Sequence, residues 1–381
     1  MGLAFLIAFN LRAVMLAVPP VLPLIRSDLH LSFTLAGGLT SLPILCLGVC
    51  AIPGALLSNR IGPRRLIGIA AIAIGLGALT RLFVPALLFL FLGTLILAVG
   101  IAVAQPAAAV IIREWFPGNV QRASTVYSLG LNTGGIAGTT LTVYLLVFDG
   151  WRGTFVIWAV PAILSAVIWL VLAPGRHVAQ PEAPSLATLV RDVGVWRAAG
   201  LFGAQSIAYF TAGTWIPFLL RDYDPHYLSL VLFMMGIAIL ACGVVLANVR
   251  KVFALSPAFY VIAGVVLLSG AVGLSVGLKN LAWACAGLVG VGAGLTFTGA
   301  MSMPPMLAQS KHHVAGYAAL MLTAGYILAF LGPLAGGVLV DQTGNVDAPF
   351  WLVIAAGILI TGLGMTLPRR LSIPEDQRLL P

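Results

Sequence analysis

Long unbroken apolar runs, separated by short clusters of charge, proline and glycine, make up nearly all of this chain. They lack the strict two-residue alternation of half-buried strands. They also lack the alternating segments of about ten residues that build membrane barrels. Reading from one polar break to the next predicts twelve helical spans, at about residues 2–25, 34–57, 65–83, 86–112, 122–148, 153–174, 198–220, 227–248, 253–277, 280–309, 313–340 and 349–368, with boundaries good to a few residues. Each approaches or exceeds the roughly 20 residues that cross a bilayer core. The longest polar stretch, 175–197, carries Pro181, Pro184 and mixed charges and falls between the sixth and seventh spans. It therefore reads as a linker between two six-helix bundles, residues 1–174 and 198–381.

Composition turns this pattern into a class. Of 381 residues, 60% are hydrophobic and 8% charged, whereas a soluble domain carries about 25% charged and about 45–50% apolar residues. The chain reads as an all-α membrane protein, because helices satisfy their own backbone groups where lipid offers no partner. A soluble enzyme, a disordered chain and a disulfide-stapled secreted module are excluded. The formal charge of +9 belongs to loops, not to a nucleic-acid groove. The first run has no basic start and no small-residue cleavage site, so it reads as a span and not a leader. Cys46, Cys50, Cys242 and Cys285 all sit within apolar runs with no histidine or carboxylate beside them, and read as small buried hydrophobes.

Loop charge sets the orientation. With the N-terminus inside, the inner segments hold Arg60, Arg64, Arg65, Arg113, Arg122, Arg176, Arg191, Arg197, Arg250, Lys251, Lys311, Arg369, Arg370 and Arg378. The outer loops hold only Arg26, Arg81, Arg152, Arg221 and Lys279, and Arg12 completes the twenty. Both termini are placed in the cytoplasm, in a multi-pass protein of the plasma (inner) membrane.

The halves echo each other. Pro23-Leu24-Ile25-Arg26-Ser27-Asp28 closes the first span, and Pro217-Phe218-Leu219-Leu220-Arg221-Asp222 closes the seventh. Val99-Gly100-Ile101-Ala102 in the fourth matches Val291-Gly292-Ala293-Gly294 in the tenth. Two parallel repeats of this kind place a substrate between them near the bilayer midplane.

The loop Ala55-Leu56-Leu57-Ser58-Asn59-Arg60-Ile61-Gly62-Pro63-Arg64-Arg65 resembles the Gly-x-Leu-Ala-Asp-Arg-x-Gly-Arg-Arg loop of the major facilitator superfamily. Ala55 stands where glycine is usual and Asn59 where aspartate is usual, which removes the charge from the latch attributed to that loop. The resemblance assigns Asn59, Arg60, Gly62 and Arg64 to gating. Gly150-Trp151-Arg152-Gly153-Thr154-Phe155 is a second signature of that kind. A narrower resemblance, to the cyanate and 2-nitroimidazole transporter subfamily, covers most of the chain. It rests on Asn10-Leu11-Arg12, Pro20-Val21-Leu22-Pro23-Leu24-Ile25-Arg26, Gly38-Leu39-Thr40-Ser41-Leu42-Pro43-Ile44-Leu45, Trp215-Ile216-Pro217, Ala324-Gly325-Tyr326 and Gly332-Pro333. Members of that subfamily take differing small substrates, so the cargo stays open. The resemblance implies a monomer.

The residues themselves point to Arg12. It precedes Arg26 by about 14 residues, or roughly 20 Å of helix, which sets it inside a hydrocarbon core about 30 Å thick. The acids Asp28, Asp149, Asp222, Asp224, Asp341 and Asp347 fall outside, and Glu114, Glu182, Asp192, Glu375 and Asp376 fall inside. None shares its depth. An arginine there costs at least about 2.5–3.5 kcal/mol and usually faces a cavity or a partner. A planar, permanently charged guanidinium suits a carboxylate-like substrate group. The competing reading is that Arg12 binds backbone carbonyls or snorkels to the inner surface.

The superfamily resemblance directs attention to the first, fourth, seventh and tenth spans. Gln105 and Asn132 lie near the depth of Arg12, and both can donate to an anion. Gln205 and Tyr209 are four apart on one helix face; Thr298 and Tyr326 sit near mid-depth. Tyr209 and Tyr326 match family positions that resemble binding-site aromatics. For all of these, helix–helix hydrogen bonding is the plain alternative. Trp215 reads as an interfacial aromatic. Gly130, Gly134 and Gly138, and the Gly332-Pro333-Leu334-Ala335-Gly336-Gly337 string, read as close-packing positions. That string resembles an antiporter motif, but on a different helix.

No Walker loop, HExxH, GxSxG or Cys/His cluster occurs, so neither ATP hydrolysis nor metalloenzyme chemistry has a site. No cofactor is called for, and the chain does not read as an enzyme. It reads as a secondary or facilitative carrier of a small anion or weak acid by alternating access, working by uniport, exchange or symport of a substrate that carries its own proton. The alternative is a multidrug or nitroimidazole exporter.

Overall fold

The computed structural model describes residues 1–83, 86–175, 189–247, 256–307 and 311–367, and every regular element in them is helical. The expected linker core at 176–188, the Arg250–Lys251 loop and the tail bearing Arg369, Arg370 and Arg378 lie outside the described residues.

Twelve helical spans follow one another at the expected places. The first runs Gly2–Leu16, through a 3-10 turn at Pro19–Val21, into Leu22–Leu29; the second is Phe33–Val49 plus Ala51–Ile61. Then come Pro63–Thr80, Ala86–Trp115, Val120–Leu145 and Gly150–Leu172. The seventh to twelfth are Val193–Leu219, Pro225–Ala247, Pro257–Ser275, Ala282–Leu307 (entered through a 3-10 turn at Lys279–Leu281), Lys311–Thr343 and Pro349–Met365. The seventh starts five residues before its expected position, because the Asp192 carboxylate caps it by accepting from the Gly194 N–H.

Local chemistry explains the breaks. Pro19 and Pro20 have no N–H to give, so the first span tightens to 3-10 there. The second span bends by 55° at Cys50. Pro53, four residues after Val49, can neither bond nor fit against the Val49 carbonyl. Gly62, at φ 87°, reverses the chain between the second and third spans.

Among the described residues eight helices are long and apolar enough to cross a membrane, and the bent second span makes a ninth. The fifth and seventh fall short because they carry polar side chains, and these are the spans that bear Tyr127, Asn132, Gln205 and Tyr209. The twelfth falls short on length alone, at 17 residues.

The halves pack alike. Third packs on fourth, and ninth on tenth. Gly100 lies against the Ala70 carbonyl, and its counterpart Gly292 against the Ala263 carbonyl. Gly77 meets Gly93 and Leu97, as Gly270 meets Cys285 and Val289. The halves meet along two seams, second against eleventh and fifth against eighth. The cross-contacts that stand out all lie toward the end carrying Arg26: Thr34 with Asp341, Thr40 with Thr214, Ser229 with the Thr140 carbonyl, Tyr144 with His226, and Phe33 with Trp215 and Phe218. The second–eleventh seam is still tight at Gly48, which lies on Thr323 and Ile327. Beyond it the bend carries Ala51–Ile61 onto the fourth span, where Gly54 packs on Val103. Among the described residues the halves are therefore pressed together at the Arg26 end, and their contacts thin out toward the Asn59 end, where Ala51–Ile61 keeps a few with the eleventh span.

Candidate functional site

Arg12 sits four residues before Leu16 on the first span, one turn below the closed end. The fifth span holds that segment from behind. Gly130 and Gly138 pack on the Phe5 and Ala13 carbonyls at 2.6 and 2.5 Å from a notional Cβ, and Gly134 presses on the Phe9 carbonyl. The small-residue stripe is thus the bearing that fixes the first span and the position of Arg12. Above it, Met15, Leu16, Leu39, Pro43, Phe210 and Met235 roof a cavity of about 20 Å³ whose polar lining is Thr40, Thr139, Tyr209 and Thr214. That is room for about one water molecule.

Arg12 is half-buried, and among the described residues it has neither an ion pair nor a hydrogen bond. None of its nitrogens belongs to the sealed, unpartnered atoms of the interior. Its head group is therefore neither capped by main-chain oxygens nor cut off from accessible space. It acts electrostatically on the hydroxyls of Tyr127 and Tyr209, and Tyr326 also acts on Tyr127. These interactions bring one cation and three phenols, from the first, fifth, seventh and eleventh spans, into one region between the halves. Among the described residues no carboxylate pairs with them, and no group of three or more His, Cys, Asp or Glu forms a metal site.

The other candidates separate. Gln105 keeps its amide nitrogen buried and unpartnered. Asn132 donates to the Ser128 carbonyl at 2.9 Å and Thr298 to the Gly294 carbonyl at 2.9 Å, each on its own helix. Gln205 is only 5% exposed and donates to the Ser206 hydroxyl at 2.6 Å. Tyr326 meets Phe202 edge-on at 5.1 Å.

Tyr127 was missing from the sequence reading. Its hydroxyl is buried without a hydrogen-bond partner. The signal was present: at spacings of three, four and four it begins the Tyr127–Gly130–Gly134–Gly138 stripe, the face turned to the first span.

Two expectations are corrected. Trp215 is no interfacial aromatic; it is 0% exposed and packs on Phe33 and Phe218, because the seventh span runs through the middle of the molecule. Arg81 is not a loop charge. It is 1% exposed, bonds Thr94 at 3.1 Å and stands 5.1 Å from the Phe155 ring.

Of the residues expected to gate, Asn59 and Arg60 are exposed. Arg64 turns into its own half, donating to the Leu170 carbonyl at 3.4 Å while its own carbonyl accepts from Trp169. In the second signature, Trp151 donates to Asp28 at 2.8 Å and Arg152 pairs with the same carboxylate. This ties the sixth span to the first at the Arg26 end.

Residues 2–329 match the Major Facilitator Superfamily. The chain is similar to an uncharacterized transporter, YycB, of Bacillus subtilis (28% identity, 99% of this chain and 95% of the relative). It is also similar to two Escherichia coli proteins, a 2-nitroimidazole transporter (26%, 96% and 94%) and the cyanate transport protein CynX (28%, 94% and 94%). Among solved structures, a bacterial homolog of the human lysosomal transporter Spinster, inward-facing and occupied, superposes with a TM-score of 0.77 at 16% identity, over 95% of this chain and 94% of that one.

Proposed function

The chain belongs to the Major Facilitator Superfamily of membrane transporters, and from that premise we propose that it carries a small anion or weak acid across the plasma membrane by alternating access. One observation carries the reading: a guanidinium deep in the fold, accessible, unpaired and faced by phenols. The Arg12 charge supplies the attraction, and its planar fork suits a carboxylate-like or cyanate-like group. Tyr127, Tyr209 and Tyr326 donate hydrogen bonds to the bound solute, and Gln105 offers an amide donor near the same depth. Asn132, Gln205 and Thr298 support the surrounding helices.

In this reading both termini are cytoplasmic, as the loop charge favours, and the parted Asn59 end faces the cytoplasm. Asn59, Arg60, Gly62 and Arg64 then act when that end closes. The uncharged Asn59 makes their latch weaker than a charged one. The protein works as a monomer, and the solute itself carries any coupled proton.

A second reading, export of a nitroimidazole-like solute, is favoured by the rings around the site, Tyr209 with Phe210, and Tyr326 with Phe202, which also meets Phe297. Thermal stabilisation of the purified protein by cyanate, nitrate, short carboxylates and nitroimidazoles separates the two. Stabilisation by anions that is lost in Arg12→Ala supports the anion carrier. Stabilisation by a neutral heterocycle, retained in Arg12→Ala, refutes it in favour of the exporter.

A further inference from the structure

The tightest seam between the halves ends in a carboxylate that belongs to one half and serves the other. Asp341, in the last turn of the eleventh span, accepts the backbone N–H of Phe33 at 2.9 Å, that of Thr34 at 2.8 Å and the Thr34 hydroxyl at 2.6 Å. Phe33 and Thr34 open the second span, whose first N–H groups have no partner within their own helix. The span's own cap, Ser32, serves only Leu35. A negative group at this position also meets the positive end of the helix dipole.

The neighbouring side chains reinforce the contact. The Arg26 guanidinium lies 3.6 Å from the centre of the Phe33 ring and acts electrostatically on Asp341. Phe33 in turn packs on Trp215 and Phe218 of the second half. The Gly332–Gly337 string finds its place here. Gly337 lies on the Phe33–Thr34 backbone, Pro333 on Gly37, and Gly332 and Gly336 on Thr211 and Trp215. The eleventh span is thus clamped between the second and the seventh, with Asp341 at its tip. The Thr40–Thr214 and Ser229–Thr140 cross-links are neutral; the Asp341 cap is charged, and charge-assisted hydrogen bonds are about twice as strong.

We propose that Asp341 is the latch of the Arg26 end. Its carboxylate, capping the second span in trans, holds the two halves in the state closed at that end. Opening that end requires Asp341 to leave Phe33 and Thr34, so this residue sets the balance between the two access states. The inference does not depend on which solute Arg12 takes.

The test measures spin–spin distances in the full-length protein without solute, with Cys46, Cys50, Cys242 and Cys285 replaced by serine. One label pair, at Leu24 and Asp222, reports on the Arg26 end. A second, at Leu57 and Met301, reports on the Asn59 end. Asp341→Asn keeps the shape but loses the charge and half the acceptor capacity. The expected result is an increase of about tenfold in the ratio of separated to closed Leu24–Asp222 distances, the scale of losing a helix cap. A matching shortening at Leu57–Met301 is expected with it. Thr34→Ala, which removes one of the three bonds, shifts both pairs the same way by less, and stands as the test should Asp341→Asn not fold. The proposal is overturned if the Leu24–Asp222 distribution stays within twofold of the parent. It is equally overturned if both pairs broaden without the reciprocal change, which is simple loosening. Since no solute is present, its failure is distinct from failure of the Arg12 assignment.

Discussion

Arg12→Gln reverses the usual sign of an arginine deletion. An arginine that ties a fold together leaves buried partners uncompensated when it is removed, at a cost of about 3–5 kcal/mol. Arg12 has no such partner among the described residues. Its presence at depth instead carries an insertion cost of about 2.5–3.5 kcal/mol. The partial exposure of the side chain reduces that, discounted by about half for solvent contact, to about 1–2 kcal/mol. The solute-free variant is therefore expected to unfold at the same temperature as the parent or up to about 2 °C higher. Binding moves the other way. A unit anion about 4 Å from the guanidinium gains about 4 kcal/mol at an effective dielectric of 20. Half of this, about 2 kcal/mol after the same discount, corresponds to an affinity about thirtyfold weaker in the variant. The assay is thermal unfolding in detergent, without solute and across a titration of the stabilising anion, with the dissociation constant taken from the concentration dependence of the shift. A fall of several degrees without solute would show that Arg12 is structural. Anion affinity preserved within threefold would show that it does not bind the cargo.

Tyr127→Phe removes a buried hydroxyl that bonds nothing in the described structure; solute-free stability should be unchanged or slightly higher, and anion affinity should fall about tenfold in the same titration. Gly134→Ala drives a Cβ into the Phe9 carbonyl, whereas Gly135→Ala meets only the Leu16 methyl at 3.2 Å. The first should lower stability by about 1–3 kcal/mol and abolish uptake in proteoliposomes, the second should do neither, and equal behaviour of the two would refute the bearing role of the stripe.

Much of this protein can be read along the chain. Long apolar runs between polar breaks admit few other solutions in lipid, since each span must satisfy its own backbone, and the helices begin and end within a few residues of those breaks. The unmatched charge of Arg12 was equally visible, because depth within a helix can be counted in residues. What pairs with what across the bundle could not be counted. Tyr127 joins Arg12 because a glycine stripe lets the fifth span press on the backbone of the first. Gln205, which shares a helix face with Tyr209, spends its amide nitrogen on Ser206. Trp215 and Arg81 are buried because helices from distant parts of the sequence cover them. Asp341 reads as a loop-end acid until the second span, more than three hundred residues earlier, presents its open N–H groups to it. Hydrophobicity fixes the helices one at a time, while rotation about each axis and the choice of neighbours depend on packing contacts between side chains remote in sequence, and there the site and its latch are made.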